Sequence, residues 1–315
     1  MKSGVLILDK PKGMTSYKVV EYVKRRLGIK KAGHTGTLDP MATGLVVVCI
    51  GNATKLARFL TDADKVYQGR ITLGIETDTY DMDGQIVKRV PVPSDIGIKD
   101  IQMIADTFKG VILQVPPAYS AAKYKGVPLY KLARRGMSIK KEPKKVYIYN
   151  FQITGFDAPH VDFLVHCSKG TYVRTLAHDL GRAVGCGATL SRLRRLRSGF
   201  LSVNEAIPVE SVLEREPGEI RGKIMPVELV LSHIPSITVN SRDALFIQQG
   251  RGISLLKVMD YMKDQLSDFA QIRADYLRIM AKNSGEGQRL VCMARWPHFD
   301  DPRARLEILR VWNPN

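Results

Sequence analysis

Apolar residues recur along this chain at two spacings, and the switches between them mark out its elements. Near the amino terminus GVLILDKPKG holds an apolar run from Gly4 to Asp9, stopped by a Lys-Pro-Lys-Gly turn, which predicts a short buried strand. Val19, Val20, Val23 and Leu27 follow at helical spacing, with Ser16 placed to cap the start and Gly28 the end. Lys24, Arg25 and Arg26 fall on the outward side of that helix. The run Leu45 to Ile50 has no polar alternation and predicts a central strand covered on both faces. Further strands are predicted at KVYQGRITLG, KVYIYNFQITGF and HVDFLVHCSKG, and helices over about 98–108 and from Arg174 to Val184. The acidic stretch IETDTYDMDGQIV reads as a structural turn, and the proline pair of QVPPAYS as a break.

Strands mixed with helices, without a regular β-α-β alternation, predict an α+β fold. Two prolines in MPVELVLSHIPS mark a boundary near residues 226–236, so the expected units are 1–230 and 236–315. The smaller unit closes with strands at RLVCMARW and RLEILRVWN, but its centre, LLKVMDYMKDQLSDFAQI, has helical spacing.

With 315 residues, 44% apolar and 25% charged, the chain can build two ordinary packed cores. No run approaches the roughly 20 apolar residues of a membrane helix, and the start lacks a signal-peptide core. A soluble cytoplasmic protein is expected. Cys49, Cys167, Cys186 and Cys292 are scattered and read as small buried hydrophobes. Neither they nor the six His residues show metal-ligand spacing, so no metal site is expected.

Charge changes the picture. A net charge of +17 and a pI near 9.7 favour a polyanionic partner, nucleic acid before membrane, because no basic amphipathic helix carries large exposed apolar residues. The charge concentrates in YSAAKYKGVPLYKLARRGMSIKKEPKKVYIY, residues 119–149. There nine Lys or Arg are interleaved with Tyr119, Tyr124, Tyr130, Tyr147 and Tyr149 against one acid, Glu142. Positive charge among aromatic rings is the combination that holds phosphates and stacks unpaired bases. SRLRRLRSG at 191–199 reads as a second basic patch, with Arg192 and Arg195 on one side of a turn, and Lys24 to Lys31 as a third.

Candidate chemistry centres on GHTGTLDPMATG, residues 33–44. One account of Leu-Asp-Pro is a helix start, with Asp39 as N-cap, Pro40 in the first turn and His34 a satisfied turn residue. A cap alone does not call for Gly33, Gly36 and Gly44 around it, and such glycines let a backbone approach a ligand closely. Both roles can hold at once.

This segment resembles the signature of the TruB family of tRNA pseudouridine synthases. The resemblance continues in the family's order through LDKPKGMTS, DKVYQGRITLGIETDTYDMDG, QVPPAYSAAKYKGVPLYKLARRG and CSKGTYVRTLAHDLG, over about 200 residues. It implies a pseudouridine synthase fold over 1–230, a mixed, largely antiparallel central sheet flanked by helices. A small PUA-like RNA-binding domain is implied at 236–315, although the helical centre of that unit departs from an all-β pattern. The implied reaction isomerises uridine 55 in the T loop of tRNA. Nothing is oxidised or hydrolysed, so no cofactor is implied.

The resemblance also assigns roles. Asp39 is implied as the catalytic carboxylate and Arg174 as its counter-ion. Tyr67 is implied to stack on the target base, Tyr172 and Leu193 to line the uracil pocket, and His34 to support the flipped-out nucleotide. For Leu193 a plain core role competes. Lys10 and Pro11 are implied as structural. The segment 119–149 would grip the T-arm, and the implied form is a monomer acting on tRNA without guide RNA or membrane.

Overall fold

The computed structural model describes residues 3–120, 122–133, 135–137, 139, 141–267, 271–272, 274–282, 287–298 and 304–312. The chain runs through β1 (Gly4–Lys10), α1 (Ser16–Leu27), β2 (Ala32–His34), β3 (Thr43–Ile50), α2 (Ala57–Thr61) and β4 (Lys65–Leu73) to a hairpin of β5 (Ile75–Thr77) and β6 (Ile86–Arg89). Next come α3 (Ile98–Asp106), β7 (Gly110–Gln114), β8 (Lys123–Tyr124), β9 (Val127–Pro128) and α4 (Leu129–Ala133). A hairpin of β10 (Lys144–Asp157) and β11 (His160–Cys167) leads into α5 (Val173–Val184), β12 (Ala188–Ser198), β13 (Leu201–Ser202) and β14 (Ile207–Pro208). Short helices α6 (Val209–Glu214), α7 (Pro217–Gly222) and α8 (Val227–Val230) reach the last group of elements. These are β15 (Ser236–Val239), α9 (Ser241–Gln248), α10 (Leu255–Gln265), β16 (Tyr276–Lys282), β17 (Gln288–Arg295) and β18 (Ile308–Val311).

Eight strands line up as β14-β1-β3-β12-β4-β11-β10-β7, with β2 added beside β3 and β13 beside β12. Among the described residues of this sheet only β1 with β14 and β3 with β12 pair in parallel, so this α+β sheet is mixed and largely antiparallel. β3 is interior to the sheet and covered on both faces, which is why its sequence shows no alternation. On one face α1, α3 and α5 pack against Leu6, Leu8, Val46, Val48, Ile71 and Phe163. Val19, Val20, Val23 and Leu27 of α1 are all buried there, worth roughly 6–12 kcal/mol before entropy is counted. On the other face Val5, Ile7, Leu45 and Val47 meet Phe59 and Val230 together with Met280, Met293 and Trp312 from the last elements. The sheet β15-β16-β17-β18 therefore shares one core with the large sheet, and its opposite face is covered by Ile247 of α9 and by Val258 and Met262 of α10. The helical spacing at 255–265 is α10.

Two local expectations are corrected. Thr15, not Ser16, caps α1: its hydroxyl accepts from the Lys18 amide at 3.1 Å, and Gly28 closes the helix at φ 64°. The stretch SRLRRLRSG lies within strand β12 and its exit, not in a turn, so its side chains alternate between the two sheet faces. All four cysteines are buried, and burial pushes the Cys49, Cys167 and Cys292 thiols up to about 12. Among the described residues no cluster of three His, Cys, Asp or Glu is placed to hold a metal. No helix among them is long and apolar enough to cross a membrane.

Candidate active site

The loop between β2 and β3 makes a turn at Asp39, whose carbonyl accepts from the Ala42 amide at 3.1 Å, and passes directly into β3. No helix follows, so the N-cap account does not apply. Two buried groups pin this loop. The Ser16 hydroxyl accepts from the Leu38 amide (2.8 Å) and donates to the Leu38 carbonyl (3.2 Å). The Lys10 ammonium, at the end of β1, donates to the carbonyls of Pro11 (2.9 Å), Met14 (2.7 Å) and Pro40 (3.4 Å). Gly44 is required by neither turn nor ligand: at φ +101°, its Cβ would lie 2.3 Å from the Arg195 carbonyl oxygen of the paired strand.

Arg174 stands in the first turn of α5 and reaches back to the loop. Its Nε contacts Asp39 Oδ2 at 2.9 Å and its Nη2 donates to Asp39 Oδ1 at 3.2 Å, a two-pronged pair. The remaining donors go to the Tyr119 carbonyl (2.8 Å), the Thr79 carbonyl (3.1 Å) and Asp81 Oδ2 (3.2 Å). The Arg174 side chain is only 6% exposed against 32% for Asp39, so the carboxylate looks outward with its counter-ion buried behind it. Burial pushes the Asp39 carboxyl up from the ordinary aspartate value. Arg174 opposes this, Asp81 adds to it, and Lys10 opposes again, leaving the net direction up.

Asp81 was legible only as part of a turn. It is that, held by the Thr79 hydroxyl (2.6 Å) and the Asp83 amide (3.1 Å), and it is also the second acid on Arg174. A buried guanidinium has five N–H donors, more than one carboxylate can satisfy, which is the general signal that a further acceptor was needed.

A cleft of about 230 Å³ opens over Asp39, with Tyr67, Tyr172, Arg174 and Leu193 in its walls. Pockets for drug-sized ligands run to about 300–1,000 Å³, so this one suits a smaller occupant. Tyr67 on β4 pairs in register with Arg195 on β12, so the two side chains share one face of the sheet. Burial pushes the Tyr67 phenol up and Arg195 opposes it. Arg195 is not part of a surface patch as expected. It is 3% exposed and donates to the carbonyls of Leu45 (2.7 Å) and Gly36 (3.0 Å). Burial also brings the ammonium groups of Lys10 and of Lys65, another cleft residue, down to about 8.

His34 is placed differently. It sits on β2, outside the cleft lining that begins at its neighbour Thr35, with a buried Nδ1 that has no partner among the described residues. Burial, aided by Arg195, pulls its imidazole down. In the basic segment lie the hairpin β8–β9, α4 and the start of β10, and the segment is tied to the site where Tyr119 accepts from Arg174. Lys125 and Lys141 lie 5.7 and 5.8 Å from the Tyr124 ring centre. Arg134 and Lys140 lie outside the described residues.

Comparison with known proteins bears directly on this arrangement. The family described as TruB family pseudouridylate synthase (N terminal domain) matches residues 24–173, and the tRNA pseudouridylate synthase B C-terminal domain matches 174–232. Proteins named tRNA pseudouridine synthase B are 45% identical over 240 residues in Syntrophotalea carbinolica, covering 75% of this chain and 77% of that one. In Coxiella burnetii the figures are 43% over 255 residues, 79% and 82%. The chain belongs to the TruB family. It is thus a pseudouridine synthase, an isomerase. Among solved structures, Cbf5 in a Cbf5–Nop10–Gar1 complex superposes with a TM-score of 0.72 at 26% identity, covering 99% of this chain and 85% of that one. The archaeal box H/ACA Nop10–Cbf5 complex gives 0.70 at 23% identity, with 99% and 86% covered, a likeness of fold. Both superpositions take in the elements beyond residue 232, where the two family matches end.

Proposed function

We propose that this protein converts uridine to pseudouridine in tRNA, acting on uridine 55 of the T loop without a guide RNA. The observation that carries the reading is the Asp39 carboxylate, exposed to a nucleoside-sized cleft and fixed from behind by Arg174 at 2.9 and 3.2 Å. The relatives at 43–45% identity are named for tRNA, which supports that substrate over a guided one.

In the reaction the glycosidic bond from C1′ to N1 breaks, uracil turns while bound, and C5 bonds to C1′. The C5 proton is lost and N1 gains one, so the product is an isomer. One carboxylate serves either route to bond cleavage, as a nucleophile at C1′ or as a base on the sugar to give a glycal. A glycosidase differs in using two carboxyl groups to deliver a proton and direct water or nucleophile. Here the second acid, Asp81, is committed to Arg174 and is 4% exposed.

The target base must leave its stack to reach this cleft. Tyr67 and Tyr172 offer it aromatic faces and Leu193 an apolar one, while His34, beside the cleft, supports the gap left in the RNA. The segment 119–149 grips the T-arm. Incubating the protein with unmodified tRNA transcript and mapping pseudouridine chemically tests the reading. Modification at position 55 by the wild type and none by Asp39→Asn is expected. Binding by both with modification by neither would leave an RNA-binding protein.

A further inference from the structure

The turn between β5 and β6 supplies two of the acceptors on Arg174, the Thr79 carbonyl at 3.1 Å and Asp81 Oδ2 at 3.2 Å. Both lie on Nη1, while Nε and Nη2 face Asp39. The residue between these two acceptors is Tyr80, at φ +63°. Among the described residues only Tyr80 and Lys125 combine a side chain with a positive φ. A bulky residue is disfavoured at that angle where glycine is not, so contacts elsewhere must compensate for a tyrosine held there.

The backbone of the turn is fixed by β12. The Tyr80 carbonyl accepts from the Leu190 amide at 3.0 Å, and the Leu190 carbonyl from the Met82 amide at 3.2 Å. The ring is fixed by α5. It stacks on His178, with ring centres 4.0 Å apart and planes 13° from parallel. His178 stands four residues past Arg174, one helical turn along the same face of α5. It is buried, and its Nδ1 has no hydrogen-bond partner among the described residues. Burial pulls its imidazole down, so near neutral pH an uncharged ring meets Tyr80. The helix that carries Arg174 is therefore joined to the turn that carries Asp81 at two places, one polar and one aromatic.

We propose that Tyr80 and His178 are positioning residues for the reaction, a stacked pair that keeps the turn in register with α5 and so holds the Arg174 guanidinium square to Asp39. Contacts at Nη1 alone leave the guanidinium free to pivot there with the turn. A second contact one helical turn along removes that freedom. The proposal rests on the reading of Asp39 as the catalytic carboxylate.

Single-turnover pseudouridine formation in tRNA transcript across a pH series tests it, with tRNA affinity and thermal midpoint measured for each variant. Tyr80→Gly relaxes the backbone and removes one ring, and His178→Ala removes the other. Tyr80→Phe and His178→Phe keep both faces. The first two are expected to lose about tenfold in rate, part of the roughly 100-fold that a misplacement of about 1 Å can cost, with tRNA affinity unchanged. Their acid limb should also move to higher pH, because a loosened Arg174 opposes the rise of the Asp39 carboxyl less. The Phe variants should keep the wild-type rate and limb. Tyr80→Gly combined with His178→Ala should lose no more than either alone, since both remove the same contact. Should Tyr80→Gly not fold, Tyr80→Asn, which tolerates the same φ, takes its place.

A lower thermal midpoint with the limb unmoved would reduce the pair to a folding role and overturn the proposal. So would the wild-type rate in Tyr80→Gly, or a loss in Tyr80→Phe as large as that in Tyr80→Gly. An NMR titration of the carbon-labelled Asp39 carboxyl without RNA reads the same shift independently of turnover. If its midpoint rises in Tyr80→Gly while Asp39→Asn keeps the wild-type rate, the reading of Asp39 fails and the stacked pair stands as the support of Arg174.

Discussion

Asp39 and Asp81 face each other across one guanidinium: Arg174 gives Nε and Nη2 to the first and Nη1 to the second. Two acids against one base leave a net negative charge, and the exposed member of the pair is Asp39. Asp81→Asn keeps the volume and removes the charge that holds the far edge of Arg174. Misplacing a reacting group by about 1 Å can cost about 100-fold, so a loss of roughly 10- to 100-fold in single-turnover rate is expected. Arg174→Lys should lose more, because an ammonium cannot bridge two carboxylates in this geometry. An Asp81→Asn enzyme with wild-type rate would show that the far edge needs no anchor.

The pH–rate profile should carry the mark of Asp39. In the proposed reaction the ionised carboxylate is the acting form, and burial raises its pKa, so single-turnover rate should fall on acidification through a midpoint above that of ordinary aspartate. A limb no higher than that of a free aspartate would remove Asp39 as the titrating group.

Lys10 makes a separate prediction, about stability. Its folded pKa of about 8 is below the unfolded value of 10.5, so the unfolded chain binds more protons between those values. Unfolding free energy therefore rises with pH across that window by up to about 3 kcal/mol from this residue, and the gain is absent below pH 8. Urea unfolding at pH 7.5 and 9.5 should show a larger increment in wild type than in Lys10→Met, which keeps the like contribution of Lys65. Parallel behaviour of the two proteins would mean that Lys10 titrates normally.

His34→Ala should matter in proportion to how firmly the target base is stacked. Extruding a stacked base costs a few kcal/mol, so a folded T-arm should suffer more than a flexible single strand of the same sequence. Equal losses on both substrates, with RNA affinity intact, would place His34 in the chemistry itself.

The basic segment is tested by neutralising Lys141, Lys144 and Lys145. For every phosphate that one of these lysines neutralises, its removal should flatten the dependence of log affinity on log salt by about 0.7–0.9. A wild-type slope in the triple variant would take the segment out of the interface.

The sequence by itself determined the elements, the charge and the loop that carries Asp39. Apolar spacing reports whether a residue faces in or out of its own element, and it located β1, α1, β3 and α5 to within a residue or two. It could not say which polar residues meet. Arg174 and Asp39 are 135 positions apart, and Arg174 and Asp81 are 93 apart, so only the packing of α5 against the β2–β3 loop and the turn after β5 brings the three together. Ser16 looked like a cap because the local pattern offers Ser, yet its hydroxyl is drawn inward to Leu38. Arg195 looked like surface charge because it stands in an arginine run. The strand's two-residue period sends it to the Tyr67 face and sends Arg192 and Arg194 to the other. Tertiary structure decided these matters because burying a charge is tolerable only where distant carbonyls and carboxylates satisfy it, and those partners come from other parts of the chain.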